Sequence, residues 1–146
     1  MEWVPFVGHG AVEQAFGTFQ NLSGSTITKG LGGHLLTTAN SNTGYAVTNV
    51  TTEEVRLFVG IAEADIADTK LGRFTTYGYA ASVNYFAMGS SITINPGDPL
   101  GPHLTGASLG IFSGGLKTAF GPVLNMSAAA ITVSAGGYLS GWVRAL

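Results

Sequence analysis

The chain predicts an all-β fold: a compact domain built from two pseudo-repeated β-units, with an extended N-terminal arm. Three observations carry this. Glycine supplies 22 of 146 residues, about twice its usual share, and punctuates short runs rich in Thr and Val. Alternation of period two recurs along the chain, and no segment sustains the apolar stripe of a normal helix. Two distant stretches, Gly24–Gly30 and Gly89–Gly97, are both β-branched runs that break at a glycine.

Taken in order, residues 1–22 are expected to form the arm. They crowd Trp3, Phe6, Phe16 and Phe19 together, with only Glu2 and Glu13 charged. A free tail of that composition is poorly solvated, so the four aromatics are expected to meet a partner, the alternative being core packing. The stretch "MEWVPFVGHG" lacks the basic start and apolar run of a signal peptide. No run approaches the ~20 apolar residues of a membrane-spanning helix.

Residues 23–146 are expected to form one domain, with pseudo-repeats at about 23–85 and 86–146. In the first, "TGYAVTNV" and "EVRLFVGIA" read as strands, the latter placing Val55, Leu57, Val59 and Ile61 on one face. "GRFTTYGYA" follows, with Arg73, Thr75, Tyr77 and Tyr79 on one face and Phe74, Thr76, Gly78 and Ala80 on the other. In the second, "SSITINPGDPLGP" holds three of the chain's five prolines. Proline has no N–H for a ladder, so strand pairing must stop there. "GGYLSGWVRAL" is the last strand. "AEADIADTK" and "NMSAAAI" read as loops with at most one or two helical turns, in corresponding places of the two units. Pairing Gly30 with Gly97, Gly60 with Gly121 and Gly72 with Gly137 gives offsets of 67, 61 and 65 residues.

Composition narrows the function. Only 10% of residues are charged, against about 25% in an ordinary domain, and the net charge is −2. A phosphate-tracking surface is not expected, so nucleic acid is not among the partners. Eight of the fourteen charges fall between Glu53 and Arg73. A surface so poor in charge points to burial in an assembly. Cysteine is absent, so disulfides and thiolate metal sites are excluded. The sequons at Asn21, Asn49 and Asn125 are taken as chance matches.

Residue groupings that would carry chemistry are weak. His9, His34 and His103 have no ligand-like spacing, and no metal or cofactor is expected. "GASLG" (106–110) matches the letters of a nucleophile elbow, but that motif belongs to a parallel α/β fold. Glu63, Asp65 and Asp68 lack the ligand order of a calcium loop and read as a solvated loop balanced by Lys70 and Arg73. Gly30, Gly97 and Asp98 are expected at structural turns, with Asp98 accepting from nearby backbone N–H groups.

The stretches Val59-Gly60-Ile61-Ala62 with Gly72, and Pro96-Gly97-Asp98-Pro99-Leu100 with Gly121 and Gly137, resemble the paired motifs of tailed-phage head decoration (capsid cement) proteins. The resemblance covers about residue 24 to the end. It implies a compact β-barrel-like or β-tulip domain and a non-enzymatic virion protein on the capsid exterior, present in the host cytoplasm during assembly. Its partners would be the major capsid protein and itself, as a homotrimer, with no membrane involved. The competing expectation is a carbohydrate-binding β-domain of a tail or adhesin protein, with Tyr77, Tyr79, Tyr85 and Phe86 as its sugar platform.

Overall fold

The structure, a computed structural model, describes residues 13–37, 45–49, 57–85, 92–103, 106–111, 122–133 and 136–145. Eleven strands are described: β1 (Ala15–Asn21), β2 (Gly32–Leu35), β3 (Ala46–Asn49), β4 (Phe58–Ala62), β5 (Leu71–Tyr85), β6 (Ile92–Ile94), β7 (Pro99–His103), β8 (Gly106–Ile111), β9 (Val123–Asn125), β10 (Ile131–Val133) and β11 (Gly137–Arg144). The described residues contain no α-helix. The two candidate helical turns are bends and turns: Ile66 in the first makes an isolated bridge to Ile27, and the second runs from β9 through a bend into β10.

Nine of the eleven described strands form a sheet that closes on itself, which covers edges that would otherwise invite aggregation. The order β1-β3-β2-β4-β5 returns to its start through an antiparallel β1–β5 pairing, forming a five-stranded barrel. The fifteen-residue β5 then runs on into a second ring, β5-β11-β9-β7-β8, closed by a parallel contact of Tyr85 with Leu109. Strands β6 and β10 form a separate two-stranded ribbon.

Each ring has its own core. Ile27, Val47, Val59, Ala62, Ile66 and Phe74 fill the first, with Phe19, Leu31 and Leu35 packed against them. The second holds Ala80, Val83, Tyr85, Ile94, Leu100, Val123, Leu139 and Val143, together with Phe58 and Ile61. Strand β4 is therefore the wall between the two. All five of its residues are buried, and its faces serve different cores.

That arrangement corrects the expected single face of Val59 and Ile61. Gly60 interrupts the alternation with φ of 145°, a conformation that side chains rarely adopt. A Cβ there would collide with the Thr75 carbonyl oxygen. Around it the β2–β4 register slips, with Gly33 opposite Gly60 and His34 opposite Phe58. Val59 turns to the first core and Ile61 to the second. A similar irregularity in β1–β5, between Ala15 and Phe16, leaves Phe74 and Thr75 both fully buried, although strict alternation would expose one of them.

An internal likeness is present, but between other residues than the sequence pairing selects. Asn21 and Asn125 are both fully buried, and each organises a corner. Asn21 Oδ1 accepts from Ser23 N at 2.9 Å, and Asn125 Oδ1 accepts from Ser127 N at 3.0 Å. Ser23 Oγ donates to the Ser25 carbonyl at 2.9 Å, as Ser127 Oγ does to Ala129 at 3.0 Å. Thr69 N donates to Asn21 O and Gly97 N to Asn125 O, each at 2.7 Å. Asn21 N donates to Lys70 O and Asn125 N to Asp98 O, each at 2.9 Å. The bridge of Ile27 to Ile66 matches that of Ile131 to Ile94. The register of Gln20 with Leu71 and Phe19 with Gly72 matches that of Leu124 with Pro99 and Val123 with Leu100.

Gly97 thus corresponds to Thr69, not to Gly30, and Gly72 to Leu100, not to Gly137. "NMSAAAI" corresponds to "NLSGSTI" (21–27), not to the loop after β4. The chain order also differs: the corner at Asn21 precedes its partner turn, whereas the corner at Asn125 follows its own. A tandem copy would keep one order.

The correspondence carries a prediction. Thr69 is the one non-glycine residue of positive φ among the described residues, at 65°, where its counterpart Gly97 has 82°. A β-branched residue in the left-handed region is strained by roughly 1–3 kcal/mol, partly offset by its lower unfolded-state entropy. Thr69→Gly is therefore expected to raise stability by about 1 kcal/mol. A urea midpoint equal to or below that of the parent, at unchanged slope, would contradict the assignment.

Candidate functional site

The residues that the sequence marks as partner contacts separate in the structure. Trp3 and Phe6 lie outside the described residues. Phe16 is 41% exposed, and the Arg73 guanidinium sits 4.2 Å from the centre of its ring. Phe19 points the other way, packing against the first core and meeting Phe74 edge-to-face at 5.6 Å. Alternation along β1 sends the two phenylalanines to opposite faces. Of the two that are described, Phe16 is the exposed one.

Phe16 belongs to a larger apolar surface. Leu71 at the start of β5 is 65% exposed, and Tyr77 further along the same strand is 44% exposed. Tyr45 is also 44% exposed, and its carbonyl accepts from Gln20 N beside Leu71. Tyr77 meets Trp142 of β11 edge-to-face, with centroids 5.6 Å apart. Across the strands, Tyr79 stands opposite Trp142, Trp142 opposite Leu124, and Leu124 opposite Pro99. The outer side of β5 and its neighbours is thus lined with aromatic and aliphatic groups. Arg73, on the same strand, is engaged with the Phe16 ring and with Glu63 at 3.9 Å, and Arg144 of β11 stands opposite Tyr77.

The expected sugar platform is not assembled as the sequence groups it. Tyr85 is in the second core at 7% exposure, because β5 turns that face inward, and Phe86 lies outside the described residues. Tyr77 and Tyr79 remain outside. Tyr77 and Trp142 cross at 82°, so they do not offer the one flat surface that a sugar ring stacks on.

The carboxylates after β4 hold the backbone. Asp65 Oδ1 accepts from Lys29 N at 2.8 Å and Asp68 Oδ1 from Gly24 N at 3.0 Å. Glu63 accepts from the Thr75 hydroxyl. In the counterpart turn, Asp98 Oδ2 accepts from Asn95 N at 2.7 Å and from Asn95 Nδ2 at 3.2 Å. Gly30 occupies a turn closed by Leu31 N donating to Thr28 O at 3.1 Å. Among the described residues no three His, Cys, Asp or Glu side chains stand close enough to share a metal ion. Residues 106–110 lie within strand β8, not on the sharp strand-to-helix turn of a nucleophile elbow.

His34 is buried between β3 and β4, 3% exposed, with Thr48 and Phe58 opposite it. Its Nε2 has no hydrogen-bond partner, and burial pushes its pKa down to about 4. It is a core residue held neutral. His9 lies outside the described residues, and His103 is on β7.

Sequence reasoning missed the two asparagine corners. The signal was present, since Asn-x-Ser-x-x-x-Ile-Thr occurs at both 21 and 125. Reading those asparagines as chance sequons hid a recurring buried polar group. No known protein-family model matches the chain, and no curated protein matches it.

Proposed function

We propose that this chain is a structural protein of a phage head, bound to the outer surface of the capsid and stabilising it by clamping adjacent major capsid subunits. The observation that carries the reading is the outer surface along β5, where Phe16, Leu71 and Tyr77 stay exposed on a chain of which only 10% is charged. Contiguous apolar surface of this kind marks sites of protein association. The doubly closed sheet supports a mechanical role, since among the described strands it leaves few edges to open.

The mechanism is additive burial. Each large side chain that leaves water contributes roughly 1.5–3 kcal/mol before the costs of association are subtracted. Repetition over many identical sites turns a modest gain per copy into resistance of the whole shell. Self-association as a trimer would extend the same burial, and the arm with Trp3 and Phe6 would add to it.

The test is co-sedimentation with expanded shells assembled from the capsid protein of the same genome, with light scattering to give the oligomer. The parent protein is expected to saturate the shells. Leu71→Ser together with Phe16→Ser is expected to weaken binding by at least tenfold without changing the thermal midpoint appreciably. Absence of co-sedimentation, with retention on a glycan array instead, would replace this reading by the carbohydrate-binding one.

A further inference from the structure

A solvent-open cleft of about 190 Å³ lies where the two rings meet, lined by Thr28, Lys29, Ser82 and Tyr138. Thr28 and Lys29 belong to the turn before β2, Ser82 to the second half of β5, and Tyr138 to β11. The turn is fixed before anything binds. Lys29 N donates to Asp65 Oδ1 at 2.8 Å, and Leu31 N closes onto Thr28 O at 3.1 Å. Gly30 N donates to Ala62 O, and Gly30 O accepts from Asn84 N, each at 2.9 Å. Those two bonds tie the turn to both β4 and β5. A Cβ on Gly30 would stand 3.2 Å from the Tyr138 ring, so turn and ring are already in close contact.

The internal likeness separates what the fold requires at this turn from what it does not. Ile27-Thr28-Lys29 corresponds to Ile131-Thr132-Val133, in line with the matched bridges of Ile27 and Ile131. Asparagine, serine, isoleucine and threonine recur in both corners. The lysine does not, so a corner of this type forms without it. Lys29 is exposed and makes no ion pair among the described residues. Asp65, the carboxylate closest in the hydrogen-bond network, is occupied by the backbone N–H of Lys29 itself.

The geometry points to a docking cleft for one acidic side chain, an Asp or Glu presented by a protein partner. An ionised carboxylate only accepts hydrogen bonds, and each lining side chain among the described residues can donate: one ammonium and three hydroxyls. A sugar could use the same three hydroxyls as acceptors, so it is the ammonium of Lys29 that favours a carboxylate over a neutral ligand. The open mouth gives a free small anion little besides one charge contact. An acidic residue carried on a docked protein gains from being held at high local concentration. The partner would be the capsid subunit, a point that rests on the proposed function; the carboxylate preference does not.

The deciding experiment is an amide-shift titration of the full chain with N-acetylglutamate amide, with the glutamine analogue, acetate and glucuronate as parallel arms. Saturating shifts at Gly30, Leu31, Ser82 and Tyr138 are expected with the glutamate compound, at least tenfold weaker with glutamine, and abolished in Lys29→Gln. Equal response to glutamine, persistence in Lys29→Gln, or no saturation would overturn the cleft. A stronger response to acetate would make it a free-anion site, and a stronger response to glucuronate a saccharide site; either refutes the proposal. Shell co-sedimentation of Lys29→Glu then isolates the partner. If the parent binds and the variant binds equally well, the cleft is not the contact and the shell reading stands. If the parent does not bind, the shell reading fails, while the titration still decides the carboxylate preference.

Discussion

Asn21→Ala is expected to remove roughly 3 kcal/mol of folding stability, and Asn125→Ala roughly 2 kcal/mol. The difference follows from their bonds. Asn21 Nδ2 donates to Ser25 O at 2.7 Å and to Ile66 O at 2.8 Å, and Oδ1 accepts from Ser23 N. For Asn125 the corresponding bonds are one donation to Asn95 O at 2.9 Å and one acceptance from Ser127 N. Each typical bond is worth about 1 kcal/mol net, and either alanine leaves a backbone N–H without its acceptor. Asn21→Asp sharpens the test, because it keeps the acceptor and the shape while turning a donor into a charge facing two carbonyl oxygens. At neutral pH that variant is expected to be less stable than Asn21→Ala, and to recover relative to the parent on acidification as the carboxyl takes up a proton. Urea midpoints at pH 7 and pH 4.5 measure both effects. Asn21→Asp as stable as the parent at pH 7 would show that the side chain does not hold the corner.

The second large effect is acid sensitivity centred on His34. The folded protein holds this imidazole neutral, with its pKa lowered to about 4 from 6.5 by burial. No charged residue stands opposite it on either pairing strand, where its partners are Thr48 and Phe58. Below pH 6.5 the unfolded chain binds a proton at this site that the folded chain refuses, so acid favours unfolding. The full contribution is present above pH 6.5 and falls by about 1.4 kcal/mol per pH unit as the pH drops toward 4, where this group's effect levels off. The total is about 3 kcal/mol. His34→Leu removes the titration and also the unpartnered Nε2, so its stability at pH 7 is expected to equal or exceed that of the parent. The quantity to measure is the parent-minus-variant difference in unfolding free energy between pH 7 and 4, in which the other titrating groups cancel. A difference that stays constant over that range would refute the assignment.

Much of the fold was legible in the amino acids. Period-two alternation, turn glycines and the absence of a helical stripe fixed the class, because a residue's immediate neighbours decide whether its backbone extends or coils. The proline-rich stretch at 96–102 was misread: pairing does not stop there, because Pro99 and Pro102 lie within β7, opposite Leu124 of β9 and Leu109 of β8, and a proline is tolerated at a ladder position that needs no N–H. The site was less legible. Phe16 and Phe19 look alike on paper and face opposite ways, and Tyr85 looks like Tyr77 yet lies in a core. Their exposure depends on which strand covers each face and on where the register slips.

From the sequence alone came an all-β chain, poor in charge and without thiols. The tertiary structure alone decided that β4 is a wall between two cores, that β5 is shared by two rings, and that Asn21 is equivalent to Asn125 rather than Gly30 to Gly97. The physical reason lies in the range of the forces involved. Strand propensity and turn chemistry act over a few residues, so they can be read along the chain. The slip at Gly60 and the meeting of Asn21 with Ile66 depend on contacts between residues that only the closed sheet brings together.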